Sequence, residues 1–144
     1  MKMILATVAM SVLFLLRPSS AKVFSKCELA KELVRHGMNR ADIPNWICLI
    51  QHESSFNTRS KGGPNRNGSY DHGLFQINDN YWCSPPARNN DCKISCSNLR
   101  DDNIADDVKC AKLIYRRHKF NAWYGWVNNC KGKNLSGYVR GCTY

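Results

Sequence analysis

Eight cysteines in a chain of 144 residues constrain its folding more than any other feature: Cys27, Cys48, Cys83, Cys92, Cys96, Cys110, Cys130 and Cys142. An even number in a short chain that opens with an export signal points to four disulfides formed in an oxidising compartment. Zinc is the competing use of such residues. No Cys-x-x-Cys pair is present, however, and His36, His52, His72 and His118 show no metal-ligand spacing. Eight half-cystines admit about 105 pairings, so the spacing leaves the connectivity open.

The export signal is read from Lys2, the apolar run over residues 4–16, and the small residues Ser19, Ser20 and Ala21. The run is too short for a membrane span, which needs ~20 apolar residues. Cleavage after Ala21 predicts a secreted product starting at Lys22, with no transmembrane segment. The formal net charge is +10 over the whole chain, and Lys2 and Arg17 leave with the signal. A basic secreted protein is drawn to polyanions: bacterial walls, anionic lipid or nucleic acid. The sequence holds no Gly-rich phosphate loop and no nucleic-acid module, so no specific nucleic acid partner is expected.

Without internal repeats or linkers, residues 22–144 read as one domain. Ser25-Lys26-Cys27-Glu28 fits a capping box, followed by the stripe Leu29, Ala30, Leu33, Val34 and a stop at Gly37. A second helix is expected from Pro44, with Trp46, Leu49, Ile50 and Glu53 on one face. Gly62-Gly63-Pro64 and Asn67-Gly68 then signal turns, the latter a tight hairpin, with a short strand over 70–77. Helical periodicity returns with Ile104, Val108, Ala111 and Tyr115, and a short helix is expected over 124–130. The pattern is α+β: a helical lobe, a small antiparallel β-lobe, and a cleft between them.

Two carboxylates stand out. Glu53 lies on the apolar face of its helix, where burial disfavours the charged form and keeps the acid protonated. Such an acid can donate a proton to a leaving-group oxygen. Equally, Glu53 can be a boundary residue reaching solvent. Asp71 lies among Asn65, Asn67, Ser69, Gln76 and Asn78, which can hydrogen-bond an ionised carboxylate. It can also be a turn aspartate satisfying its own backbone. One protonated and one ionised carboxyl across a cleft is what glycoside hydrolysis requires.

Longer stretches carry a resemblance. Lys22-Val23-Phe24 with Cys27-Glu28-Leu29-Ala30 is one, followed by Asn45-Trp46-Ile47-Cys48, Glu53-Ser54-Ser55-Phe56-Asn57-Thr58 and Asp71-His72-Gly73-Leu74-Phe75-Gln76-Ile77-Asn78. Tyr81-Trp82-Cys83, Asn121-Ala122-Trp123 and Arg140-Gly141-Cys142 continue it. Together they resemble the c-type lysozyme and α-lactalbumin family over essentially all of 22–144. The resemblance implies Glu53 as general acid and Asp71 as nucleophile or electrostatic stabiliser. It implies Asn65, Gln76, Asn78, Tyr81, Trp82, Ala122 and Trp123 as sugar-binding positions, with Trp123 against the acid. The implied disulfides are Cys27–Cys142, Cys48–Cys130, Cys83–Cys96 and Cys92–Cys110. Bacterial peptidoglycan is the implied substrate and chitin oligomers poorer ones, for a monomer that needs no catalytic cofactor.

The family also contains a non-enzymatic regulator of a sugar transferase, but both catalytic positions here hold carboxylates, which favours the hydrolase. A cationic membrane-active protein on the same scaffold is the other alternative. Two departures from many relatives are His72, in place of tyrosine beside Asp71 and able to tune its pH response, and the basic run Arg116-Arg117-His118-Lys119 at the far end of the cleft. The acidic run over 101–107 resembles the family's calcium loop. Asp101, Asp106 and Asp107 would supply carboxylates, and Asn98 and Asn103 backbone carbonyls, to a structural calcium. The other reading is a helix start decorated with acids. Sequons occur at Asn67 and Asn134, and a glycan at Asn67 would crowd the cleft, so Asn67 is expected bare.

Overall fold

The computed structural model describes residues 21–88 and 90–144. The segment read as an export signal lies outside them, save Ala21. Helix α1 covers Lys26–Arg35 and buries Leu29, Ala30 and Leu33. Ser25 Oγ accepts the Glu28 N–H at 3.2 Å. The reciprocal arm of the capping box is absent, because the Glu28 carboxylate instead pairs with Lys22 Nζ at 2.7 Å. Gly37 supplies the left-handed φ (+86°) that ends the helix.

Helix α2, Ile43–Ser54, starts with Pro44 in its first turn and buries Trp46, Ile47, Cys48, Leu49 and Ile50. Consecutive buried residues mean that it is enclosed on nearly all sides. Its last turn carries Glu53. Immediately beyond, Ser55 and Phe56 both take positive φ, which turns the chain sharply towards the small lobe.

That lobe is a three-stranded antiparallel sheet in the order β1 (Lys61–Gly62), β2 (Asp71–His72), β3 (Ile77–Asn78). Gly62 pairs with Asp71 and Asp71 with Asn78, which puts Asp71 on the central strand. The single strand expected over 70–77 is instead β2, a turn and the start of β3, because Gly73 and Gln76 adopt positive φ and fold the chain back. Asn67-Gly68 does not make a two-residue hairpin. Residues 63–70 form a longer loop closed by Asn65 N–H to Ser69 O at 2.8 Å and Gly68 N–H to Asn65 O at 2.9 Å.

Helix α3 runs over Ala105–His118 and α4 over Tyr124–Asn129. The four disulfides are Cys27–Cys142, Cys48–Cys130, Cys83–Cys96 and Cys92–Cys110, the pairing implied by the resemblance. One apolar core serves both lobes: Leu74, Phe75 and Ile77 from the sheet side join residues of α1, α2 and α3. Trp46 is its hub, with Phe120 at 4.8 Å, Trp123 at 5.4 Å, Tyr115 at 5.6 Å and Phe75 at 5.7 Å between ring centroids. Among the described residues, no helix is long and apolar enough to cross a membrane.

Candidate active site

A cleft of about 1000 Å³ separates the sheet from the helices, and Glu53 and Asp71 both line it. Glu53 comes from the last turn of α2 and is half-buried. Burial raises its carboxyl above the ordinary range and the charge of Asp71 adds to the rise, while the Gly125 N–H opposes them by donating to Oε1 at 2.8 Å. Gly125 is required for that approach, since a Cβ there would stand 2.5 Å from the same oxygen.

Asp71 is held differently. Asn65 Nδ2 donates to Oδ2 at 3.0 Å and Asn78 Nδ2 to Oδ1 at 2.9 Å. Ser69 Oγ joins those two amides, accepting from both. Asn67 Oδ1 in turn accepts from the Ser69 hydroxyl and N–H. Two amide donors supply hydrogen bonds that a carboxylate would otherwise take from water.

All seven expected sugar-binding residues line the same cleft: Asn65, Gln76, Asn78, Tyr81, Trp82, Ala122 and Trp123. They play unequal parts. Tyr81 is 59% exposed, a platform open to a ring. Trp123 is buried at the cleft floor, its Nε1–H committed to Phe75 O at 2.9 Å. The Gln76 amide donates to Ser60 O and Gly73 O, so its nitrogen braces the sheet. Arg117 lies over the Trp82 ring at 5.5 Å and is ion-paired with Asp91, while the His118 ring meets Trp82 edge-on at 5.9 Å. Of the basic run, His118 alone reaches the cleft lining, where Arg66 also stands.

His72 follows Asp71 in the chain but lies on the other face of β2. Strand alternation turns it away from the cleft that Asp71 faces; it is 4% exposed and bonded through Nε2 to Asp79 Oδ2 at 3.0 Å. Gly125 is the site residue that sequence reasoning missed. It had no local signal, since its partner lies 72 positions away. Ser69 stands among the polar neighbours of Asp71 that the sequence singled out.

The acidic run divides on folding. Asp102 turns towards the N-terminal segment, accepting from Thr58 Oγ1 at 2.8 Å and pairing with Arg59 at 3.3 Å. Asp101 and Asn103 cap the following backbone N–H groups of Asn103 and Ala105. Asn98 sits exposed in the 3-10 turn Cys96–Arg100, and Asp106 and Asp107 open α3. Asp107 is 1% exposed, and its carboxylate oxygens make no hydrogen bond of full geometry. Burial pushes its carboxyl up to about 8, the nearby backbone N–H groups of Asp107 and Leu74 oppose the rise, and the charges of Asp101 and Asp106 add to it. A buried carboxylate suits a hard, oxygen-liganded cation, but among the described residues Asp101, Asp106 and Asp107 do not bring their carboxylates within 4.8 Å of one another. Two histidine–cysteine groupings, at His52 and His72, offer only disulfide sulfurs and so no thiolate ligand.

Comparisons with known proteins agree with this geometry. Residues 22–142 match the profile of the C-type lysozyme/alpha-lactalbumin family. Lysozyme c-1 of Anopheles gambiae is 52% identical over 132 residues, covering 92% of this chain and 94% of that protein. A lysozyme of Bombyx mori is 55% identical over 115 residues, or 79% of this chain and 83% of its own length. The crystal structure of lysozyme from Equus asinus superposes with a TM-score of 0.79 at 48% identity, covering 85% of this chain and all of that one.

Proposed function

The chain belongs to the C-type lysozyme/alpha-lactalbumin family, and from that premise we propose that it cleaves the β-1,4 bond between N-acetylmuramic acid and N-acetylglucosamine in bacterial peptidoglycan, with retention of configuration. Its lysozyme relatives support glycoside hydrolase activity; what supports the mechanism is the unequal treatment of the two carboxyls. Glu53 is pushed towards its protonated form by burial. Asp71 is dressed with two amide donors that suit an anion. The family is the type case of this division of labour.

Glu53 gives its proton to the glycosidic oxygen as the C–O bond breaks. Asp71, on the opposite side of the sugar, captures or stabilises the oxocarbenium-like anomeric carbon. The departing sugar leaves room for water, from which Glu53 then takes a proton, and the resulting hydroxyl keeps the original configuration. Retention by direct attack calls for carboxyl groups roughly 5–5.5 Å apart in the working complex.

The wider reading follows from the same residues. The mature domain is 22–144, released into an extracellular setting where its four disulfides persist, and it acts as a monomer. Its positive charge favours antibacterial defence, since bacterial walls are anionic. Chitin oligomers are poorer substrates. Catalysis needs no cofactor, and Asp101, Asp106 and Asp107, with the carbonyls of Asn98 and Asn103, would hold a calcium ion that braces the loop before α3. Asn67 stays bare, because its side chain is engaged with Ser69 at the cleft wall.

Release of reducing sugar from purified peptidoglycan tests the reading. Wild type should be active and Glu53→Gln should lose at least about a hundredfold in rate, the usual yield of a positioned general acid. Equal activity in both removes Glu53 from the mechanism. Silence in both, from folded and oxidised protein, turns the scaffold into a binding relative. Bacterial killing that survives the substitution belongs to the charge instead.

A further inference from the structure

Asp79 stands one residue beyond β3 and is 5% exposed, with both carboxylate oxygens committed. Oδ1 accepts the backbone N–H of Tyr70 at 3.0 Å, and Oδ2 lies 3.0 Å from His72 Nε2. The Asp79 N–H also donates to Tyr70 O at 2.9 Å. Residues 70 and 72 flank Asp71. One side chain therefore grips both neighbours of the carboxylate that the proposed reaction places at the anomeric carbon. It does so from the side of the strand turned away from the cleft.

The His72 ring is fixed as well. One of its nitrogens lies within 4.8 Å of the sulfurs of Cys83 and Cys96, which are joined by a disulfide. Nδ1 is buried with no hydrogen-bond partner. A buried ionisable pair with a polar atom left unsatisfied is a poor way to gain cohesion. Apolar side chains of similar volume commonly stabilise as much or more. What the pair offers that apolar packing cannot is direction: one hydrogen bond holds the backbone before Asp71 and another the side chain after it.

We propose that Asp79 and His72 are positioning residues, which hold β2 so that Asp71 meets the sugar in reactive alignment while Asn65 and Asn78 orient its carboxylate. This rests on the reading of Asp71 as nucleophile or stabiliser. Misplacement of a reacting group by about 1 Å can cost on the order of a hundredfold in rate, while substrate binding through the rest of a cleft is untouched.

The test compares wild type, His72→Leu, His72→Gln, Asp79→Asn and Glu53→Gln on soluble peptidoglycan fragments, with the affinity for N-acetylglucosamine trimer measured by calorimetry and Tm recorded for each. His72→Leu and Asp79→Asn should lower kcat by about tenfold or more, with KM and trimer affinity within about twofold of wild type. His72→Gln, whose amide can still donate to Asp79, should recover to within about threefold of wild type. Asp79→Asn keeps the volume and an acceptor for Tyr70, and so tests the same point if the leucine variant fails to fold. The proposal is overturned if the folded variants lose Tm but keep kcat, or if His72→Gln falls as far as His72→Leu. An inactive wild type, or a Glu53→Gln variant as active as wild type, overturns the parent reading instead and is recognised without the other variants.

Discussion

Opposing influences act on the Glu53 carboxyl: burial and the Asp71 charge favour the acid, and the Gly125 N–H favours the anion. The balance leaves a carboxyl that binds a proton more tightly in the folded than in the unfolded chain. Between the ordinary carboxylate range and the raised value, the folded protein then carries the extra proton, so stability falls as pH rises through that window. Glutamine carries no such burden. Glu53→Gln should therefore be more stable than wild type at neutral pH, with the gap closing as pH drops below the usual glutamate range. Urea unfolding at several pH values measures it, and a gap that stays constant or widens on acidification would contradict the raised carboxyl. The sequence made Glu53 legible through its place on an apolar helix face. Its partner Gly125 was not legible, because contact across 72 residues leaves no local pattern. His72 follows Asp71 directly in the chain, yet the pleat of a strand sends the two side chains to opposite faces.

Among the elements, α1 and α3 followed the periodicity of their apolar residues, because at 10 and 14 residues each is long enough for a 3.6-residue pattern to repeat. The strands have two residues each, too few for any alternation to register. What builds the sheet is instead a set of turns and close approaches. Gly73, at φ +75°, lets the sheet turn come so near that a Cβ would stand 1.7 Å from Leu99 O and 2.8 Å from Asp107 Oδ2. The sheet thus abuts the buried acid at the start of α3. Calcium bound there would bind the folded chain only, so it should raise Tm by several degrees at saturating concentration. Differential scanning calorimetry with added calcium or chelator checks this. Asp107→Ala should abolish the increment, and a wild type indifferent to calcium would leave the acids as a dipole complement to α3.

For the whole molecule, covalent closure and a shared core replace extended secondary structure. Cys27–Cys142 spans 115 positions and Cys83–Cys96 only 13. On the loop-entropy account, paired cysteine-to-alanine replacement of the longer link should cost about 2 kcal/mol more than that of the shorter. Denaturant unfolding of the two double variants measures the difference. A larger loss from the short link would mean that its contact with His72, on the strut beneath Asp71, outweighs chain entropy. The sequence announced four disulfides from count and compartment alone, but their pairing needed a family precedent, since spacing cannot choose among so many connectivities.

The indole of Trp82, half-buried at the cleft wall with Arg117 over its ring, has an optical consequence. Trp46 is buried away from the cleft lining and sees little change of surroundings when a ligand arrives. On the proposed reading, Trp82 would exchange water for saccharide at that moment. The molecule thereby carries its own gauge of occupancy: its ultraviolet emission should shift towards shorter wavelength as the cleft fills, with no added dye.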